Sequence, residues 1–364
     1  MRLINLLPWL PGHSGFDSYV QRVLPGIDGL RLQLDNNGKY QLLPSDGWLP
    51  QAPSWSPSFR TRLLQRYSLA QHGANLHDIF NTYKLSPNNI ETIYSPFFDA
   101  LLGFSNIPQL ITCHDLTPLI CSNSFKAWLR YRFWQPRHCR VATKLIAISR
   151  YVADQLVDFG VEPHRIEVIP NGIQIDRTPV LSPLTQDIVA IARHDLNKNL
   201  PALLRGIHQL QKLWPQWSGT LRIIGRNSRQ TNLLRKLQNR LTRPNQIVMI
   251  NHLPYDELLL LLRSSIALVS ASTEEGFDYP VLEAKAEGIP TLISDIPVHT
   301  EFHSDSSLFF PPDDDGTIFA RHVISLCNDT ALWGQLSSSG LKLAHSLSLS
   351  RQVTEINSLI NSLA

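Results

Sequence analysis

The chain has 364 residues, of which 43% are hydrophobic and 17% charged, and its formal net charge is +3 at pH 7. This composition is typical of a globular protein and excludes a disordered or low-complexity chain. A chain of this length exceeds the size at which one hydrophobic core usually keeps growing, so we expect two domains.

The N-terminal run resembles a weak secretion signal, but Asn5, Pro8 and Pro11 interrupt its apolar stretch and no small-residue cleavage site follows. We therefore expect a first buried strand there. No stretch of the chain reaches the ~18 apolar residues that a membrane span requires. The four cysteines form no CxxC pair, so we expect free thiols in a reducing cytoplasm.

Short apolar runs alternate with segments of helical period, which is typical of a parallel sheet with crossover helices. In the first half the predicted strands are Arg2–Leu7, Gln109–Cys113, Lys144–Ile148 and Ile166–Ile169. The predicted helices are Phe16–Leu24, Phe59–Ala70, Phe125–Arg140 and Arg150–Phe159. Ser149 is placed to cap the last helix, and Gly160 to end it with a left-handed residue.

A proline-containing segment without periodicity, Arg177–Gln186, predicts a linker, and the strand–helix pattern then restarts. The predicted strands are Asp187–Ala192, Gly219–Ile224, Gln246–Ile250, Ile266–Ser270, Pro290–Ser294 and Ser307–Phe310. The predicted helices are Leu200–Leu213, Arg229–Leu241, Asp256–Arg263, Pro280–Glu287, Thr317–Cys327, Thr330–His345 and Ser350–Leu363. We expect one α/β domain over residues 1–178 and a second over 179–349, with a ligand cleft at the carboxyl edges of the strands.

The strongest functional signal is the segment TEEGFDYPVLEAKAEGIP, which starts at Thr273. A strand leads into a loop with Glu275, and a helix opens near Pro280, where proline suits the first helical position. The free N–H groups of that helix favour an anion such as a diphosphate. Glu275 and Glu283 can therefore face one ligand and accept hydrogen bonds from the hydroxyls of a sugar and a ribose. The alternative is a solvated loop charge and a surface helix residue.

This segment resembles the Glu–seven residues–Glu motif of the family 4 (group 1) retaining glycosyltransferases. The resemblance implies the GT-B fold, in which two Rossmann-like doubly wound domains face each other across a cleft and the final helix commonly crosses back to the first domain. Here that helix would be the segment 350–364. It also implies donor contacts from the residues around the motif, which are Gly276, Phe277, Asp278, Tyr279 and Val281.

The run ARHDLNKNL matches the family's Arg…Lys-Asn element, so the resemblance implies that Arg193 and Lys198 neutralise the donor diphosphate as it leaves. The run TCHDL resembles the family's His-Asp element, which implies that His114 lines the donor-sugar pocket. Taken alone, an Arg and a Lys after a strand are more often solvated, and a His at a strand end is more often structural. The run VIPNG matches the family's turn before the linker and marks the fold.

The loop PGHSGF stands where the family has a glycine-rich loop, so Gly12 and Gly15 would let the backbone approach a phosphate or the acceptor. His13 and Ser14 separate these glycines, whereas the family more often has them adjacent. A second departure is Asp278-Tyr279, where family members commonly carry Gly-Leu. An acidic side chain beside a diphosphate is unfavourable unless it points at sugar hydroxyls or away, so we expect an effect on donor choice.

The run FPPDDDG contains an Asp-x-Asp pair, Asp313 and Asp315. Such a pair binds a metal and a diphosphate in another glycosyltransferase fold, but here prolines precede it and a helix follows. Capping of that helix explains the acids better. We expect no catalytic metal and no cofactor apart from the nucleotide sugar.

The segment 125–144 is rich in Lys, Arg and aromatic residues and lacks Asp and Glu. It could lie on an anionic membrane or grip a lipid-diphosphate acceptor, and the alternative is an ordinary crossover helix with core aromatics and solvated bases. A similar acid-free patch extends from Arg222 to Arg243. Nucleic-acid binding would also fit both, but no nucleic-acid-binding module accompanies them, so we expect none.

The resemblance implies a hexosyltransferase that moves a sugar from a nucleoside-diphosphate sugar to a carbohydrate or lipid-linked acceptor hydroxyl with retained configuration. Cell-surface, exopolysaccharide or glycolipid synthesis would be its setting. We expect a cytoplasmic protein, with peripheral contact on the inner face of the cell membrane left open. The rivals are a nucleotide-sugar-binding protein without activity and a sugar phosphorylase or nucleotide-sugar epimerase on the same fold.

Overall fold

The computed structural model describes residues 1–9, 15–45, 58–66, 76–121 and 124–363. They form two compact units. The first comprises Met1–Leu119, Ser124–Gly172 and Leu349–Ala364, and the second comprises Ile173–Ser348 with a short segment that begins at Ile120. The division after Gly172 lies six residues before the boundary predicted at residue 178.

The first unit contains a seven-stranded sheet in the order β3-β2-β1-β4-β5-β6-β7, in which only the edge pair β2–β3 is antiparallel. Its strands are β1 Arg2–Asn5, β2 Leu30–Leu34, β3 Tyr40–Leu43, β4 Thr92–Ser95, β5 Gln109–Cys113, β6 Lys144–Ala147 and β7 Ile166–Val168. Helices of the first half are α1 Gly15–Val23, α2 Phe59–Arg66, α3 Leu76–Thr82, α4 Thr117–Ile120, α5 Phe125–Phe133, α6 Gln135–Val141 and α7 Arg150–Asp158.

The second unit contains a six-stranded parallel sheet in the order β10-β9-β8-β11-β12-β13. Its strands are β8 Ile188–Ile191, β9 Leu221–Ile224, β10 Ile247–Ile250, β11 Ala267–Ser270, β12 Thr291–Ser294 and β13 Leu308–Phe310. Its helices are α8 Leu200–Leu213, α9 Thr231–Gln238, α10 Tyr255–Ser264, α11 Tyr279–Ala286, α12 Pro297–His303, α13 Thr317–Asn328 and α14 Thr330–Ser346. This is the doubly wound order of a Rossmann fold, with its switch point between β8 and β11.

Most predicted elements are confirmed, but the single helix predicted over Phe125–Arg140 is wrong. The chain forms α5 and α6 instead, with the break at Trp134. Pro136 lacks an N–H and is tolerated in the first turn of a helix, so a new helix begins at Gln135. The predicted cap of α7 is confirmed, because the Ser149 side chain accepts a hydrogen bond from Val152 N.

The last helix, α15 (Leu349–Asn361), belongs to the first unit. The Gln352 side chain accepts a hydrogen bond from Gly172 N at 2.8 Å, and Arg351 donates to Pro170 O at 2.7 Å. These bonds dock α15 on the Pro-Asn-Gly turn after β7. A helix that follows the second unit in sequence thus completes the fold of the first.

Candidate active site

Two loops of the second unit meet at the switch point of its sheet. One follows β8 and the other follows β11, and parallel strands that lie side by side end at the same sheet edge. Asn197 joins the loops, because its carbonyl accepts from Thr273 N at 2.8 Å and its side-chain amide donates to Glu274 O at 3.2 Å. The sheet order therefore brings together residues that lie 77 positions apart.

Lys198 and Glu275 form an ion pair between these loops, with Nζ 2.5 Å from Oε1. Their side chains are only 17% and 13% exposed. Burial alone would lower the pKa of Lys198, but the adjacent Glu275 and Asp278 carboxylates raise it above its usual value, so the ammonium stays charged. The structure thus brings together two residues that the sequence predicts to be catalytic.

Asp278 stands at the N-terminus of α11 in the left-handed conformation, with φ 66° and ψ 69°. Glycine adopts this conformation freely and Asp is among the residues that tolerate it, which explains how Asp occupies a position where the resembling family commonly has Gly. Its carboxylate points into the unit, where it accepts from Ser270 Oγ at 2.6 Å. The side chain is only 2% exposed, so the charge turns away from solvent.

His299 also contacts Asp278, with Nε2 3.2 Å from Oδ2. It lies on α12, a helix that the sequence analysis missed, and its side chain is fully buried. Burial would raise the pKa of the Asp278 carboxyl, but Lys198, His299 and Ser270 together hold it well below its usual value. The signal that could have found His299 is the pair of histidines at positions 299 and 303, which share one helix face.

Arg193 lies in the loop after β8 and is 58% exposed. Its Nη2 lies 3.1 Å from Asp195 Oδ2, and Asp195 Oδ1 accepts from Ser228 Oγ at 2.6 Å. Ser228 follows β9, so Asp195 connects two loops at the carboxyl edge of the sheet and holds the guanidinium. The sequence analysis named Arg193 but not Asp195.

The other residues predicted to contact the donor surround the start of α11. Phe277 is buried against Phe302, with ring centroids 5.0 Å apart, and Val281 lies in the hydrophobic core. Gly276 is buried, and Tyr279 and Glu283 are half-buried. Because the Phe277 and Val281 side chains pack inside the unit, a ligand would meet these two positions through the backbone.

His114 lies in the first unit, directly after β5, and is buried against the rings of Phe16 and Tyr19. Its Nε2 lies 2.8 Å from Pro96 O and so carries the proton of that hydrogen bond. Burial lowers its pKa to about 4, although the bond to Pro96 opposes the shift, so the ring is neutral at pH 7. Gly15 begins α1, whereas Gly12 lies outside the described residues.

The Asp-x-Asp run caps α13, as predicted. Asp315 accepts a hydrogen bond from Thr317 N at 2.8 Å, and Asp314 accepts from Ile318 N and Phe319 N. Within the described ranges, no cluster of three or more His, Cys, Asp or Glu side chains could hold a metal ion. The expectation of a metal-independent site stays a prediction.

The basic, aromatic segment divides into two kinds of residue. Arg130 and Lys144 form ion pairs with Asp99 and Glu167. Phe125, Leu129 and Phe133, by contrast, are 71%, 37% and 57% exposed. Their spacing of four places them in one apolar stripe along α5, flanked on the same helix by the exposed bases Lys126 and Arg132. The bases Arg137 and Arg140 are exposed on α6. In the described part of the chain, no helix is long and apolar enough to cross a membrane.

Two family models match the chain. Residues 45–177 match the model described as Glycosyltransferase Family 4, and residues 185–329 match the model described as Glycosyl transferases group 1. The O-antigen chain mannosyltransferase RfbU of Salmonella typhimurium is 25% identical over 57% of this chain and 58% of its own length. Glycogen synthase of Mycobacterium tuberculosis is 28% identical over 54% of this chain and 49% of its own length. The match thus spans about half the length of these relatives.

Solved structures show the same fold. Sucrose-phosphate synthase from Thermosynechococcus elongatus superimposes with a TM-score of 0.71 and 17% identity over 100% of this chain and 98% of its own. Anabaena HepE in complex with UDP-glucose superimposes with a TM-score of 0.73 and 15% identity over 99% of both chains. These likenesses confirm the predicted GT-B fold class of two parallel-sheet α/β domains.

Proposed function

Because the chain belongs to the family 4, group 1 glycosyltransferases, we propose that it transfers a sugar from a nucleoside-diphosphate sugar to an acceptor hydroxyl with retention of the anomeric configuration. The observation that carries this proposal is the Lys198–Glu275 ion pair. It places a buried cation and a carboxylate at the switch point of a doubly wound sheet, where such folds bind ligands.

In the transfer, the bond from the anomeric carbon to the diphosphate breaks and a bond to the acceptor oxygen forms on the same face of the sugar. The acceptor's proton passes to an oxygen of the leaving diphosphate, so the reaction is balanced without a separate base. Lys198 and Arg193 lie in one loop and would stabilise the negative charge on the leaving group. The N-terminus of α11 adds a positive dipole end beside them.

Binding of the donor would separate Lys198 from Glu275 and would give each of them a new partner. A diphosphate oxygen would take the Lys198 ammonium, and Glu275 would then accept hydrogen bonds from the sugar hydroxyls. Glu283 lies eight residues further along the chain, on α11, where it would hold the ribose. Neutral His114 offers Nδ1 as an acceptor, because its Nε2 proton is committed to Pro96 O.

We propose a hexose as the transferred sugar and a carbohydrate or lipid-linked acceptor in cell-surface polysaccharide or glycolipid synthesis. The support is that RfbU is a mannosyltransferase of the O-antigen chain and that HepE forms a complex with UDP-glucose. The HepE complex makes UDP the first nucleotide to test.

We also propose that the exposed stripe of α5 contacts an anionic membrane surface from the cytoplasmic side. Phe125, Leu129 and Phe133 would enter the interface, and Lys126 and Arg132 would lie near the phosphate headgroups. The positive charges beside the stripe complement an anionic membrane, which is therefore the partner that we propose. A lipid-linked acceptor would lie at the same membrane surface.

Thermal unfolding with UDP, GDP, dTDP, ADP and NAD, each with EDTA and with magnesium, tests the donor site. A nucleotide at a hundred times its dissociation constant stabilises by about 2.7 kcal/mol. We expect a shift of the melting temperature with one nucleoside diphosphate, undiminished by EDTA, in the wild type and in the control variant Lys212→Ala, and no shift in Lys198→Ala. A shift with NAD alone would contradict the proposal.

Turnover of the nucleotide sugar distinguishes a transferase from an inactive nucleotide-sugar-binding protein and from an epimerase or phosphorylase on the same fold. The donor for this assay is a nucleotide sugar that carries the base identified by thermal unfolding. We expect the enzyme to consume this donor only when an acceptor is present, and we expect the rate to fall by orders of magnitude in Lys198→Ala. Unchanged turnover in that variant would refute the leaving-group role. Donor turnover without any acceptor would indicate an epimerase or a hydrolase.

Co-sedimentation with vesicles tests the membrane contact. We expect binding to phosphatidylglycerol vesicles that is weak on phosphatidylcholine and is lost in the double variant Phe125→Asp/Phe133→Asp. Leu260→Asp is the matched control, because Leu260 is 70% exposed on a helix that carries acidic residues. Equal binding by both variants would exclude the α5 stripe as the contact.

A further inference from the structure

A buried chain of hydrogen bonds runs behind Lys198 and connects four structural elements. Asp278 Oδ2 accepts from Ser270 Oγ at the end of β11 and lies 3.2 Å from His299 Nε2 on α12. On the other side of the ring, His299 Nδ1 lies 2.8 Å from Ser294 O at the end of β12. Asp278 Oδ1 faces Lys198 Nζ at 3.9 Å.

The neighbours of His299 decide how many protons its ring needs. A carboxylate and a backbone carbonyl are both acceptors, so each ring nitrogen must donate for both bonds to form. The Ser294 hydroxyl also lies 3.3 Å from Nδ1, but it donates its single proton to Ser272 O at 2.5 Å. The pattern is complete when His299 is an imidazolium, paired with the Asp278 carboxylate.

The other groups around the pair do not supply this charge. His303 lies one turn along α12, with its ring centroid 6.3 Å from that of His299, and burial lowers its pKa well below the usual value. Lys285 on α11 donates to Ser306 O and Ser306 Oγ rather than to Asp278. Among the residues that the structure describes, the cations that face Asp278 are therefore Lys198 from the loop after β8 and His299 from α12.

Asp278 is a problem for a diphosphate site unless its charge is compensated. A lone carboxylate 3.9 Å from Lys198 would cancel the positive charge offered to the phosphates and would repel them. The backbone does not require this side chain, since glycine would adopt the same left-handed conformation. His299, as a buried imidazolium that is hydrogen-bonded through both ring nitrogens, supplies the positive charge that compensates Asp278.

We propose that His299 is a charge-compensating and positioning residue of the donor site, which neutralises Asp278 and fixes its carboxylate so that Glu275 is the one uncompensated carboxylate on Lys198 and the diphosphate can replace it. This inference rests on the proposed function of Lys198. With His299 in place, the Asp278–His299 pair is neutral and holds Lys198 from behind. Without it, Asp278 would compete with the diphosphate for the ammonium.

Histidine-ring ¹⁵N NMR of the full chain tests the pairing without any ligand, with His299→Gln used to assign the signals. We expect both ring nitrogens of His299 to carry protons in neutral buffer, and the ring to become neutral in Asp278→Asn. A neutral His299 ring in the wild type, or a ring that stays doubly protonated in Asp278→Asn, would overturn the proposal.

Calorimetric binding of inorganic pyrophosphate and of UDP tests whether His299 strengthens the contact between Lys198 and the phosphates. Pyrophosphate reports on the phosphate contacts independently of the base. We expect His299→Gln to weaken both ligands about tenfold and the double variant Asp278→Asn/His299→Gln to return to within about threefold of the wild type. A purely structural histidine would give no such recovery. His303→Gln is the matched control, since it removes a buried ring from the same helix without removing a hydrogen bond to Asp278, and we expect it to bind as the wild type does.

The outcomes separate this inference from the function on which it rests. If the wild type binds pyrophosphate and His299→Gln binds it equally well, or if the double variant stays as weak as His299→Gln, only the inference is wrong. If the wild type binds neither pyrophosphate nor any of the nucleoside diphosphates, the proposed function and the inference are wrong together.

Discussion

The buried side chain of Lys285 allows the pH dependence of the free energy of unfolding to be predicted. This side chain lies on α11 and is only 1% exposed, and its ammonium donates to the carbonyl and the hydroxyl of Ser306. No carboxylate in the described ranges forms an ion pair with it. Burial lowers its pKa from 10.5 to about 7. The perturbation is Lys285→Met, which keeps the length of the side chain and removes the charge.

The magnitude follows from the two pKa values. Each pKa unit corresponds to about 1.4 kcal/mol, so a fall from 10.5 to about 7 amounts to about 5 kcal/mol. Between pH 7 and 10.5 the unfolded chain holds a proton at Lys285 that the folded chain has released, so the free energy of unfolding rises with pH. Below pH 7 both states hold the proton and the full destabilisation is present.

Urea unfolding of the wild type and of Lys285→Met between pH 6 and 10 checks this. We expect the variant to be more stable at pH 6, and its advantage to shrink by about 4 kcal/mol as the pH reaches 10. Lys212→Met, at an exposed position on α8, is the control, and it should follow the wild type at every pH. A difference between Lys285→Met and the wild type that does not change with pH would refute the reasoning.

Three further predictions concern single residues. Because burial lowers the pKa of His114 to about 4, turnover above pH 5.5 should show no acid limb from this ring; a limb near pH 6.5 that vanishes in His114→Asn would contradict its neutral state. Glu283→Ala should weaken donor binding more than it lowers turnover, and calorimetry that gives an unchanged donor affinity would exclude the ribose role. Ser149→Ala should lower the free energy of unfolding by about 1 kcal/mol, because Val152 N loses its cap, whereas Ser149→Asp should retain most of it.

The sequence predicts those elements whose signal is local. The cap at Ser149, the left-handed Gly160 and Pro280 in the first turn of α11 mark helix ends, and buried strands such as Ile188–Ile191 appear as uninterrupted apolar runs. The strands β2, β3 and β4 were missed, although Leu30–Leu34 alternates between apolar and polar residues at the period of a strand. Glu275 was found from its place in a loop between a strand and the helix that opens near Pro280, whereas Lys198 was implied only by the resemblance of ARHDLNKNL to the family's Arg…Lys-Asn element.

The sequence alone did not show which side chains from distant segments form ion pairs. The sequence places Lys198 and Glu275 in two separate loops, and only the order of the strands, with β8 beside β11, puts their charges 2.5 Å apart. In the same way, an acidic residue at position 278 looks unfavourable for a diphosphate until the fold turns it toward His299 and Ser270.

The sequence by itself thus determined the class of the fold, the family and the residues that carry charge, because periodicity, helix ends and motif spacing are properties of neighbouring positions. Only the tertiary structure decided which charges are paired and which side chains are buried. The reason is physical: the protonation and availability of Lys198, Asp278 and His299 depend on burial and on partners a few ångströms away, and the chain brings those partners together from distant segments.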